Sequence, residues 1–236
     1  MHSTSSSASA QPLLQPSTAR LTELSHAACD YVQRATSLDL DHSEESLAFV
    51  DHYLRQVRAG QPLQAPVLEL IAAALGVYFG ELLLARFGGR WLAIPTEPHH
   101  DSKAETPLLD SLDDPTGWRV ELEAAPLICD PVLWAQQALR FAREDEDKDD
   151  EAQAALGGEG GLIAPPKLLE PLQDAMARLP PVSEEYYYSL TGRFETVSVV
   201  VEVLASLRAA AEDEGQADDD SEQKPRKGRD KVANSQ

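Results

Sequence analysis

Cysteine is scarce in this chain: two residues, Cys29 and Cys129, among 236. Neither belongs to a CxxC pair, which excludes a disulfide framework and a cysteine-rich metal site. Both sit among apolar residues, where a lone cysteine behaves as a small core hydrophobe. A reducing cytoplasm is the expected compartment. Positive charge is scarce too. Twenty Lys and Arg face 40 Asp and Glu, a formal charge of −20. Such a surface repels nucleic acid and anionic membrane, so neither is an expected partner. It attracts a basic protein or a cation, although acidity also serves solubility alone. Catalytic signatures are missing as well. There is no G-x-S-x-G, no HExxH and no phosphate loop ending in GK[ST]. The first twenty residues lack a basic start followed by an apolar run, so no secretory signal is expected there.

Histidine offers little. His99 and His100 with Asp101, and His26 three residues before Cys29, are pairs rather than spaced sets of three or four ligands. An exposed loop and core-edge packing are their plainer readings. No metal, no cofactor and no catalytic residue is therefore expected. The acidity is spread along the chain. Residues 143–151, "REDEDKDDE", hold seven acids and two bases, and residues 212–236 hold eight acids and five bases. The remainder is still acidic.

What is present is helical periodicity. Leu21, Leu24, Ala28, Tyr31, Val32 and Ala35 recur at three- and four-residue steps. A second helix places Leu47, Val50, Leu54 and Val57 on one face and ends at Gly60, with Asp41 or Ser43 as its cap and Glu44 completing a capping box. A third starts at Pro66 and runs to Phe87, apolar on most sides. Its length would cross a bilayer, but Glu69, Glu81 and Arg86 oppose that reading. Gly88 and Gly89 stop it. "RWLAIP", 90–95, then has the content of a short strand. "GWRVELEAAP" alternates Trp118, Val120 and Leu122 with charged residues, as a strand with one wet face does. These two are expected to pair antiparallel. Asp130 and Pro131 open a further helix. Helices also follow over 167–179 and from about 195, where Val199–Val203 would otherwise pass for a strand.

The expected fold class is α+β, mostly helical with a small antiparallel β-sheet. The expected organisation is a disordered tail at 1–19, one domain at 20–211 with a flexible acidic and Gly-rich insert at 143–161, and a disordered charged tail at 212–236.

Three groups of residues carry the functional readings. Gly76 and Gly80 each cost a helix roughly 1 kcal/mol relative to alanine. Close approach of another backbone would offset that, and a ligand groove is the alternative. Glu81, Arg90 and Trp91 meet at the helix–strand junction. There Glu81 lies at a wet edge or forms a buried pair with Arg86 or Arg90. Tyr186, Tyr187 and Tyr188 beside Arg193 have the composition of a binding hot spot, or of a core cap with hydroxyls outward. The function these suggest is a non-enzymatic protein-interaction role, adaptor, regulatory or immunity-type, with a basic partner. A small-molecule pocket near Glu81, Arg90 and Trp91, in a binder or an undescribed enzyme, is the alternative.

The stretch "AALGVYFGELLLARFGGRWLAIP", preceded by "LDLDHSEESLAFVDHYL", resembles uncharacterised bacterial domain-of-unknown-function proteins. In these a helix ends in a Y-[FL]-G-E…GG-x-W pattern and a strand follows. Tyr78, Gly80, Glu81, Gly88, Gly89 and Trp91 carry the likeness, over roughly 38–94. It implies a bacterial cytoplasmic protein and supplies no catalytic residue.

Overall fold

Every residue from Ile71 to Gly80 is buried, so the third helix is the axis on which the rest is assembled. The structure, a computed structural model, describes residues 14–94, 113–141 and 160–222, with side chains to residue 209. In chain order the helices are α1 (Thr18–Thr36), α2 (Leu47–Ala59) and α3 (Ala65–Phe87), then α4 (Pro131–Arg140), α5 (Pro166–Met176), α6 (Glu184–Tyr188) and α7 (Leu190–Glu222). The strands are β1 (Gly89–Ala93), β2 (Trp118–Leu122), β3 (Leu127–Cys129) and β4 (Leu162–Ile163). They form one antiparallel sheet in the order β1-β2-β3-β4. The fold is α+β and mostly helical.

α3 packs chiefly against α4 and α1, and also on β2. It is the one helix among the described residues long and apolar enough to cross a membrane, and 67% of its apolar window is buried inside the protein. Its apolarity is thus used by neighbours on nearly all sides. At its end Gly88 takes φ 67° and Gly89 φ 123°. A side chain at Gly89 would run into the Glu121 carbonyl, so the turn into β1 needs glycine there. β1 and β2 pair as expected, with Trp91 opposite Val120. β2 buries Trp118, Val120 and Leu122 and leaves Arg119 and Glu121 half-exposed. β3 and β4 were not anticipated. With three and two residues, neither is long enough to show a period of two.

Several boundaries differ from expectation. The 1–19 tail is not uniformly outside the fold: Pro16 is buried, the Ala93 N–H donates to the Leu14 carbonyl at 2.8 Å, and α1 begins at Thr18. The insert expected at 143–161 ends earlier. Gly160 and Gly161 are buried, and their carbonyls accept from Trp134 Nε1 at 2.6 Å and from the Asp130 N–H at 2.7 Å. The acidic run 143–151, and His99, His100 and Asp101, lie outside the described residues. α7 continues to Glu222, eleven residues beyond the expected end of order. Residues 199–203 belong to that helix, as expected, and not to a strand.

The capping box at 41–44 does not form. α2 starts at Leu47, its N-cap Ser46 makes no side-chain cap bond, and Asp41 instead accepts from the Ser43 N–H at 3.0 Å. The reason is tertiary. Ser46 Oγ donates to the Ser43 carbonyl and meets the Tyr78 hydroxyl, both at 2.6 Å, while that hydroxyl accepts from the His42 N–H at 3.0 Å. The central helix thereby recruits the hydroxyl that would have capped α2. The expected Asp130 cap does form, accepting from the Leu133 N–H at 2.9 Å, with Pro131 behind it.

Candidate functional site

The glycine face of α3 is filled by protein. A Cβ at Gly76 would stand 2.6 Å from Val132 Cα and 2.9 Å from its nitrogen. One at Gly80 would collide with the Trp91 ring and lie 3.2 Å from Pro131 Cγ. The first turn of α4 and the indole of β1 therefore occupy the space beside both glycines. The close neighbours are a helix start and a tryptophan.

The junction residues do not converge on a pocket. Trp91 is buried, and its Nε1 donates to Glu81 Oε1 at 2.8 Å. Arg90 turns to Glu121 across the strand pair, with Nε and Nη2 both 2.7 Å from Oε2. Arg86 pairs with Glu44 at 3.2 Å. Glu81 is half-buried and takes an indole as its partner, so of its two readings the pair with Arg86 or Arg90 does not form. Arg90 borders an open cavity, which it shares with Gly89 and Glu121–Glu123.

The aromatic stretch divides between core and surface. α6 carries Tyr186, Tyr187 and Tyr188, each half-buried. Arg193 is 4% exposed, so it is a core residue and not a surface anchor. Its guanidinium carbon lies 4.2 Å from the Tyr187 ring centroid, 5.6 Å from that of Tyr188 and 5.7 Å from that of Trp134. Its Nη2 donates to Gln137 Oε1 at 2.9 Å, and its Nε has no hydrogen-bond partner among the described residues. The cation is held by ring faces and one amide. This stack ties α6 and α7 to α4.

Two neighbouring cavities flank Thr191. One, of about 340 Å³, is lined by Asp51, Arg55, Ser183, Glu185 and Tyr186 among others. The second, of about 320 Å³, is bordered by Glu44, Glu45, Leu47, Phe194, Glu195 and Ser198. Thr191 lines both. The wall between them is built on a long-range cap. Buried Asp51 of α2 accepts from the Leu190 N–H at 2.8 Å, the Thr191 N–H at 3.1 Å and the Thr191 hydroxyl at 2.6 Å. Those are donors that the start of α7 would otherwise leave unpaired. Burial pushes the Tyr186 hydroxyl up to about 12, and the Glu195 carboxylate that accepts from it pushes the same way. Tyr186 is thus a neutral donor at any physiological pH.

Elsewhere, Asp130 is buried and 2.9 Å from Arg119 Nη2. Burial raises its carboxyl to about 6, against the pull of Arg119 and the Leu133 N–H. Burial also raises the Cys129 thiol, helped by the Asp130 charge, and raises Cys29 with a contribution from Asp30. Both thiols are therefore poor nucleophiles. No group of three or more His, Cys, Asp or Glu suited to a metal exists among the described residues.

Sequence reasoning singled out the tyrosines but missed Arg55, Arg58, Glu45 and Glu195 as neighbours of the same region. Only the doubled acids at 44–45 and 184–185 hinted at them. Comparison with protein-family models, with curated proteins and with solved structures finds no match to this chain.

Proposed function

We propose that the chain is a non-enzymatic, acidic protein-interaction protein, adaptor, regulatory or immunity-type, whose partner is basic. The bacterial, cytoplasmic setting implied by the Y-[FL]-G-E…GG-x-W resemblance is part of the same proposal. The observation that carries it is the groove between the approach to α2 and the first turns of α7. Glu44, Glu45 and Glu195 are exposed along it, and Leu47 and Phe194 form an apolar floor. Glu45 meets no cation among the described residues, and Glu44 shares its charge with Arg86. A lysine or arginine laid in the groove would gain carboxylates for its head and apolar surface for its stem. A net charge of −20 would steer such a partner toward it.

Titration with a Lys/Arg-rich peptide, followed by calorimetry at two salt concentrations, tests the reading. Binding should weaken as salt rises. It should also weaken in the Glu45→Lys/Glu195→Lys variant, where the groove charge is reversed. Binding indifferent to both salt and charge reversal, or no binding, removes the proposal.

A further inference from the structure

Beside the Tyr186 cavity, two cations share one poorly placed carboxylate. Arg55 and Arg58 lie three residues apart on α2 and reach the same oxygen of α6. Arg55 Nη1 stands 3.9 Å from Glu185 Oε1, and Arg58 Nη2 stands 4.0 Å from it. Charge-assisted hydrogen bonds run about 2.7–2.9 Å, so neither guanidinium is hydrogen-bonded there. Among the described residues this loose pair is the one ion pair Arg55 makes. Arg58 is 14% exposed, held by the Ala138 carbonyl at 3.3 Å and the Phe141 ring at 5.4 Å. Burial lowers its pKa, the strain expected of a charge taken out of water. The other nearby acid, Asp51, is already committed, both oxygens accepting from the start of α7.

Glu185 is free to leave. Its side chain is 56% exposed and sits on a five-residue helix. A void of about 10 Å³ separates Arg55, Arg58, Glu185 and Ser189, room for roughly one oxygen atom or water. It adjoins the cavity of about 340 Å³ that reaches Ser183 and Tyr186.

We propose that this cleft binds a carboxylate ligand, which bridges Arg55 and Arg58 at hydrogen-bonding distance while Glu185 turns out to solvent. Glu185 is then an internal stand-in for the ligand. Charge selects a carboxylate over a phosphate dianion. With Glu185 displaced, two arginines and Asp51 leave one net positive charge, the complement of a single negative one. The carboxylate belongs either to a small organic acid or to the C-terminus of a peptide.

The test is a ¹⁵N NMR titration of the full chain with three probes: acetate, acetyl-trialanine with a free C-terminus, and the same peptide amidated. Saturable shifts at Ser189 and Tyr186 are expected with carboxylate probes and absent with the amide. Tighter binding of the peptide than of acetate assigns the ligand to a chain terminus, and equal binding assigns it to a small acid. Arg55→Ala, a half-exposed position, should weaken binding about tenfold or more, the loss of one charged contact. Glu185→Gln should strengthen it several-fold, because the internal competitor loses its charge and keeps its shape. Failure of both carboxylate probes to saturate, equal binding of the amide, or unchanged or weaker binding in Glu185→Gln overturns the proposal.

Discussion

Gly76→Ala isolates the contact that organises the fold. Two effects oppose each other. In an unconstrained helix interior, alanine is better than glycine by roughly 1 kcal/mol. Here the new methyl would lie 2.6 Å from Val132 Cα and 2.9 Å from both its nitrogen and Cγ2. Two of those atoms are backbone, so no rotamer change relieves the clash, and α4 must shift away from α3. Overpacking of that kind costs about 1–3 kcal/mol or more. The displaced helix also carries Trp134 and the Asp130 cap, which raises the cost toward the upper end. The expected net is a destabilisation of about 1–2 kcal/mol, or a Tm lower by roughly 2–8 °C for a domain of this size. Urea denaturation followed by the fluorescence of buried Trp118 and Trp134 measures it. Val132→Ala in the same chain removes only the Cγ2 contact, so it should recover little of the loss. A Gly76→Ala protein as stable as the parent, or more stable, would refute the reasoning, because helix propensity would then have won and the approach of α4 would not be tight.

Two more predictions concern the caps. Asp51→Ala should cost about 1–3 kcal/mol, since the Leu190 and Thr191 N–H groups lose a buried acceptor, and amide exchange at those two residues should rise well above that of the α7 interior. Asp130 gives a pH signature. Its folded carboxyl stands at about 6 against an ordinary 3.8, so between those values the folded state holds the extra proton. Stability from this group is therefore greatest below pH 3.8 and is lost as pH rises through 6, by at most about 3 kcal/mol. Asp130→Asn keeps a capping side chain and cannot titrate. The stability of the parent minus that of the variant should fall as pH rises from 4 to 7.5 in chemical denaturation, and a flat or rising difference would contradict it.

Local patterns in the sequence were sufficient for much of the fold. The length and all-round apolarity of 66–87 made α3 a central helix, and alternation over 118–122 made β2 a strand with one wet face. Asp130–Pro131 marked the start of α4, because a cap and a proline act within one turn of chain. Gly76 and Gly80 announced a close approach, since unfavourable glycines in a helix need a compensating contact. Their partner was not legible. That Val132 and Trp91 fill the space depends on where α4 and β1 return, which no local pattern encodes. The same holds for the failed capping box, where Tyr78 takes Ser46 from 32 residues away, and for the cap of α7, which comes from Asp51 some 139 residues earlier. It holds most of all for the candidate sites. Charge composition could favour a basic partner, but the gathering of Glu45 with Glu195, and of Arg55 and Arg58 with Glu185, follows from packing α2 against α6 and α7. Side-chain identity is a property of the chain, whereas proximity between distant segments is a property of the packed core.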